Sequence, residues 1–314
     1  MTETVDQVRV TGFGDLLAAA VTRAGSPVVV GLDPRWQELP DKLKEGSNGD
    51  FSARSNAYVR FCREIIDVVK DRVALVKPQV AFFEQLGPPG MQALGEMIRY
   101  ARECGLIVIA DGKRNDIGST AEAYADAWMG ANSAWQADAL TVSPYLGSDS
   151  LAPFVLTAHE RGAGLFVLAK TSNPGGGQFQ DLDSGGRPLY RHVADHIEQL
   201  AAASAGSSGY GSVGAVVGAT YPGQLGELRA ALPHAWLLVP GFGSQGGSSH
   251  DVAPAFDARG LGAVINNSRG IIFAYRRREY AHLKGGRWQD AVAQATDDMI
   301  ASLHADTAAG RLRA

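Results

Sequence analysis

Four charged residues stand out because each closes, or closely follows, a short apolar run. Lys77 ends Leu75-Val76-Lys77-Pro78, Asp111 and Lys113 end Ile109-Ala110-Asp111-Gly112-Lys113, and Asp116 comes just after in Asn115-Asp116-Ile117. Side chains alternate along a strand, so Asp111 and Lys113 share one face of theirs, as Leu75 and Lys77 share one of another. If those faces turn inward, two ammonium groups and two carboxylates meet, with formal charges summing to zero. Such a cluster stays out of water only if every member has partners, since removing one leaves a charge uncompensated at a cost of roughly 3–5 kcal/mol. The protons of such a set titrate together. The chemistry it offers is electrostatic: a fixed ammonium stabilises negative charge as it develops, without reorganising. Asp33, in Gly31-Leu32-Asp33-Pro34, ends another apolar run and belongs with the candidates.

A second constellation lies near the other end of the chain. One apolar run leads into Pro240-Gly241-Phe242-Gly243-Ser244-Gln245-Gly246-Gly247, and the next into Asn266-Asn267-Ser268-Arg269-Gly270. Glycines let backbone N–H groups approach an anion, and an arginine adds a fork of donors. A phosphate site is therefore expected here. Gly241, Gly243 and Gly246 also match the G-x-G-x-x-G dinucleotide fingerprint, but that pattern requires an acidic residue at the end of the following strand, where this chain has Asn266 and Asn267. Neither a G-x-x-x-x-G-K-[ST] nor a G-x-S-x-G motif occurs. His192 and His196, four apart, read as a surface pair on one helix, with a metal site as the alternative. Cys62 and Cys104 read as helix residues packed toward strands. No metal and no cofactor is expected.

The elements that must position these groups repeat along the chain. Apolar runs occur at 28–30, 73–76, 106–110, 139–142, 165–169, 215–217, 236–239 and 263–265. Each is too short for a helix and lacks polar alternation, as strands covered on both faces do. Helical periods lie between them, such as Tyr58, Phe61, Cys62, Ile65, Ile66 and Val69. Phe13, Leu16, Leu17, Ala20 and Val21 form a stripe ahead of the first strand, and Trp288, Ala291, Val292, Ala295, Met299 and Leu303 another after the last. Eight strand–helix units predict a closed (β/α)8 barrel, one domain over 1–314 with a short N-terminal helical extension and a C-terminal closing helix. An open doubly wound sheet is the competing architecture. In such barrels chemistry sits at strand C-termini, and the loops after strands seven and eight often hold phosphate. Two Gly/Ser-rich excursions are expected: 173–187 after strand five, on the binding side, and 205–212 before strand six, on the opposite side.

Composition narrows the classes. The 314 residues are 45% hydrophobic and 20% charged, which excludes disorder, and the net charge of −4 excludes a broad cationic face for nucleic acid. Two cysteines make no disulfide scaffold. No run approaches 18 apolar residues and Met1 to Val10 hold no apolar leader, so no membrane association and a cytoplasmic location are expected.

Asp111-x-Lys113-x-x-Asp116-Ile117 on a third strand, in a barrel with a phosphate site, resembles the signature of the orotidine 5′-phosphate decarboxylase family. Val30-Gly31-Leu32-Asp33, Val76-Lys77-Pro78, Lys170-Thr171-Ser172-Asn173-Pro174 (one bacterial branch), the 240–247 glycine loop and Arg269 extend the resemblance, in order, from about 13 to 275. It implies a carboxy-lyase that converts orotidine 5′-phosphate to uridine 5′-phosphate and CO2 in pyrimidine biosynthesis. It further implies that Lys113 protonates C6, Asp111 lies against the substrate carboxylate, Lys77 bridges ribose and charged network, and Asp33 holds a ribose hydroxyl. Ser172 would meet the pyrimidine edge, while Gln245, Gly246, Gly247 and Arg269 would take the phosphate. Asp116 and Thr120 would reach into the partner's site of a homodimer. The alternatives are a Mg-dependent sugar-phosphate lyase or synthase on the same barrel, and a non-catalytic nucleotide- or sugar-phosphate-binding protein.

Overall fold

The computed structural model describes residues 12–46, 50–243, 247–283 and 287–313. Eight parallel strands close on themselves in sequence order: β1 Val28–Leu32, β2 Leu75–Pro78, β3 Ile107–Arg114, β4 Ala139–Val142, β5 Gly164–Lys170, β6 Val213–Val217, β7 Leu237–Pro240 and β8 Ala263–Asn267. The main helices are α1 Phe13–Ala24, α2 Phe51–Val69, α3 Gly87–Glu103, α4 Gly118–Met129, α5 Ser148–Arg161, α6 Leu189–Ala203, α7 Pro222–Ala231 and α8 Trp288–Asp306. Between β7 and β8 the described residues hold short helical turns, Ser249–Val252 and Ala253–Ala255, in place of a full helix. The open doubly wound alternative is excluded, because β1 pairs with both β2 and β8.

The unbroken apolar strands reflect burial on two sides. Inward-facing Val29, Leu75, Ile107, Ile109, Ala139, Phe166, Val216, Trp236, Leu238 and Val264 belong to one buried cluster. Their neighbours, including Val28, Val30, Val76, Val108, Val167 and Ile265, join a second with the helices. Several strands run further than their apolar runs. β2 carries Lys77 within it, and β3 continues through Asp111 and Lys113 to Arg114, so these charged residues are strand residues and not the first residues of loops.

Helix α1 closes the bottom of the barrel. Phe13 and Leu17 pack into the inner cluster, and the Phe13 ring meets Phe166 edge-on at 6.1 Å and 83°. Gly164 at the start of β5 leaves room for that ring, since a Cβ there would lie 2.2 Å from it. Asp15 accepts hydrogen bonds from Ser207 and Ser208 in the 205–212 loop, which fixes the helix and that loop to each other. Burial raises the Asp15 pKa, but those donors outweigh it and bring the carboxyl down to about 2. The helix buries the flank formed by Phe13, Gly14, Leu17, Ala18, Ala20 and Val21. Leu16, expected in the apolar stripe, is 40% exposed. At the other end of the chain, Trp288 of α8 stacks on Phe61 of α2 at 5.2 Å.

Phe13→Ala is expected to lower the unfolding free energy by about 3–5 kcal/mol in urea titrations, the usual cost of emptying an aromatic site. A loss below about 1 kcal/mol would show that the ring does not close the barrel.

Candidate active site

The carboxyl ends of the strands bring three of the predicted charges together. The Lys77 Nζ donates to Asp111 Oδ2 at 2.6 Å and the Lys113 Nζ to Asp111 Oδ1 at 2.7 Å. Register explains the meeting: Lys77 lies two residues beyond inward-facing Leu75, and a bridge pairs Gln79 with Asp111 on the adjacent strand. Two residues that the charge pattern did not reveal complete the set. Gln79 Nε2 donates to Asp111 Oδ2 at 3.0 Å, and Thr141 Oγ1 donates to Asp111 Oδ1 at 2.9 Å. Four donors thus occupy the four lone-pair positions of one carboxylate. Gln79, just past β2, and Thr141, on β4, carry no formal charge, so only the register around β3 identifies them.

The three charges differ in environment. Lys77 and Asp111 are buried, whereas the Lys113 side chain is 46% exposed. Burial works against ionised Asp111, yet the two ammonium groups prevail and hold its pKa well below the usual carboxylate range. For Lys77, burial pulls the pKa down, but Asp111 and then Asp33 prevail, leaving it raised. Asp33 is therefore the second carboxylate whose field reaches the network.

Asp116 does not join this network within the chain. Its Oδ1 accepts from the Ile117 backbone N–H at 2.8 Å, and Thr120 is exposed on the first turn of α4. Within one chain the hydrogen-bonded charges are therefore three, Lys77, Asp111 and Lys113, and not the four expected from the sequence. Asp33 Oδ1, Asn266 Oδ1 and Ser268 Oγ are buried atoms with no hydrogen-bond partner. Asn266 lies opposite inward-facing Val29 in the register, at the end of β8. Buried polar atoms are nearly always paired, so these three at the strand ends are candidate contact points for a polar ligand.

Ser172 opens the excursion after β5, half-buried, its carbonyl accepting from Thr220 Oγ1 at 3.4 Å. The excursion is tied back to the barrel. Gln180 bonds the backbone N–H of Thr171 at 3.0 Å and its hydroxyl at 2.8 Å. Lys170, itself buried, pairs with Asp181 at 2.5 Å. In the glycine loop, Gly241 and Gly243 take left-handed φ of 103° and 69°, and the Gly243 N–H donates to the Gly247 carbonyl at 2.8 Å. The N–H of Gly247 is directed at Gly241 O, at 3.4 Å. Gln245 and Gly246 lie outside the described residues. Arg269, exposed, begins the short helix directly after β8.

Among the described residues no three His, Cys, Asp or Glu side chains group as metal ligands would. His192 is exposed and its Nε2 lies 2.9 Å from the Ser184 carbonyl. Cys62 is fully buried, and burial, followed by the Asp33 charge, pushes its thiol pKa up, so it is inert.

A closed parallel (β/α)8 barrel with charged groups gathered at the carboxyl ends of its strands defines a barrel enzyme. Comparison with known proteins then gives the family. A family model described as orotidine 5′-phosphate decarboxylase / HUMPS matches residues 26–283, and the chain belongs to that family. It is 56% identical over 293 residues to the orotidine 5′-phosphate decarboxylase of Rhodopirellula baltica, covering 91% of this chain and 97% of that one. The protein of the same name from Deinococcus radiodurans is 45% identical over 246 residues, with 78% and 83% covered. Among solved structures, the Leishmania donovani OMP decarboxylase superposes with a TM-score of 0.73 at 34% identity, covering 94% of this chain and 98% of that one.

The depressed pKa of Asp111 gives a test of the network. Its stabilising contribution is complete above the unfolded carboxyl pKa near 3.9 and is lost as pH falls toward the lower folded value. The difference in unfolding free energy between the wild type and Asp111→Asn is expected to be level between about pH 5 and 9 and to shrink below about pH 4. A difference that grows as pH falls would contradict an ionised, lysine-held Asp111.

Proposed function

We propose that this chain decarboxylates orotidine 5′-phosphate to uridine 5′-phosphate and CO2, a step in making pyrimidine nucleotides, with Lys113 as the acid and without a metal. The observation that carries this reading is the Asp111 carboxylate, buried and ionised between two lysines, with one of those lysines half-exposed at the mouth. Breaking the bond between C6 and its carboxylate leaves an electron pair on C6. The Lys113 ammonium stabilises that charge as it forms and then transfers a proton to C6, becoming an amine that is reprotonated from water. Asp111 faces the substrate carboxylate, and their repulsion is relieved as CO2 departs. Enzymes lower barriers by about 8–23 kcal/mol, so binding of the remote phosphate must contribute by organising the site.

In this reading Asp33 and Lys77 hold the ribose, Ser172 the pyrimidine edge, and Gln245, Gly246, Gly247 and Arg269 the phosphate. Asp116 and Thr120 serve the partner's site in a homodimer. Asp116 stands apart from its own chain's network, and exposed apolar side chains follow nearby strands: Ile117 after β3 is 57% exposed and Tyr145 after β4 is 80% exposed. A dimer with shared sites covers such surface. No described helix is long and apolar enough to cross a membrane, and both cysteines are free, in keeping with a cytoplasmic enzyme that binds neither membrane nor nucleic acid.

Purified protein is expected to consume orotidine 5′-phosphate in the presence of EDTA, followed by the loss of substrate absorbance. Turnover only on addition of Mg²⁺ would instead favour a metal-dependent sugar-phosphate enzyme. Lys113→Ala is expected to keep uridine 5′-phosphate binding while losing roughly 10²–10⁴ in kcat. Shared sites make a separate prediction: mixing inactive Lys113→Ala with inactive Asp116→Ala regenerates activity, because one site of each mixed dimer is intact. Mixtures as inactive as their components would argue that Asp116 serves its own chain.

A further inference from the structure

We infer that Thr141 is a positioning residue for Lys113, an inference that rests on the decarboxylase reading above. Between β3 and β4 the pairing runs from Ala110↔Leu140 directly to Arg114↔Val142. Asp111, Gly112 and Lys113 therefore face the single residue Thr141, an irregularity that bends a strand and re-aims its side chains. Within it Lys113 adopts a φ of +45°; among the described residues only one other non-glycine, Gln136, has a positive φ. L-residues with side chains of this length avoid that region unless the surroundings fix it.

Thr141 supplies what fixes it. The Lys113 backbone N–H, displaced from the regular ladder, donates to Thr141 Oγ1 at 2.9 Å. The hydroxyl in turn donates a hydrogen bond to Asp111 Oδ1 at 2.9 Å, the same oxygen that accepts from the Lys113 ammonium at 2.7 Å. The circuit runs from the Lys113 backbone through Thr141 and Asp111 back to the Lys113 side chain. A threonine hydroxyl has one proton to give and lone pairs to accept with, and this arrangement uses both functions. Thr141 is 1% exposed, so no bulk water competes for either bond. Lys113 needs such help: its side chain is half-exposed, and a lysine's flexible stem has many rotamers to lose. A lysine held at both ends presents its ammonium in one place before substrate arrives, which is what an electrostatic catalyst requires.

The test compares Thr141→Val, close in shape but without the hydroxyl, with Thr141→Ser, which keeps it, in the full-length protein. Valine is expected to lower kcat for orotidine 5′-phosphate on the order of 10²-fold, the effect of misplacing a reacting group by about 1 Å, with uridine 5′-phosphate affinity held within about 3-fold. Serine is expected to restore kcat to within about 5-fold of wild type. Thr141→Ala, smaller and free of steric conflict, is expected to repeat the valine result if that variant fails to fold. Equal activity of the valine and serine variants, or a loss confined to KM, would overturn the assignment. Crystal structures of the same variants give a readout that needs no turnover. Without the hydroxyl, Lys113 is expected to leave the left-handed region and its Nζ to move out of hydrogen-bond range of Asp111. An unchanged Lys113 in Thr141→Ala would refute the positioning role, whereas absence of turnover by the wild type would refute the decarboxylase reading alone.

Discussion

The carboxylate of Asp111 is the point on which the site depends. It is buried, it is ionised, and each of its two oxygens accepts one lysine ammonium and one neutral donor. Burial alone opposes a charge there. Lys77 and Lys113 reverse that balance, and in doing so the carboxylate orders the ammonium groups that keep it charged. Neither lysine has another ion-pair partner as close among the described residues, so loss of Asp111 would leave a buried Lys77 and an undirected Lys113.

The barrel makes such a cluster tolerable. Its interior below the mouth is filled by apolar side chains, and α1 closes the far end with Phe13 and Leu17. Water is thereby kept from the lower layers, and polar side chains are confined to the last inward positions of each strand. Lys77, Asp111, Thr141 and Asn266 all occupy such positions, on four different strands. The site is thus a product of the strand register: a shift of one residue in β2 would turn Lys77 outward and Val76 inward.

Much of this was legible in the sequence, and the exceptions have physical causes. The eight strands show as uninterrupted apolar runs because both faces are covered. The charges that end them mark the mouth because charge so near a buried run needs partners. Simple alternation puts Lys113 beside Asp111. They do meet, but through an irregular strand and a left-handed lysine, which no side-chain period encodes. Gln79 and Thr141 escaped notice because a neutral amide and hydroxyl look alike inside and outside a site until the register is known. Asp116 stands outside its own chain's network because it follows the end of β3, where alternation along the strand no longer says which way a side chain turns. Leu16 lies at the edge of the apolar stripe, beside the flank of α1 that Phe13, Leu17, Ala20 and Val21 bury, and is exposed.

The most direct test of the account is a crystal structure of the protein with uridine 5′-phosphate bound. The account predicts the Lys113 Nζ within about 3.5 Å of pyrimidine C6, the Asp111 carboxylate beside it still flanked by Lys77, and the phosphate against Arg269. A nucleotide bound away from the strand ends, or a Lys113 ammonium turned from C6 toward solvent, would contradict it.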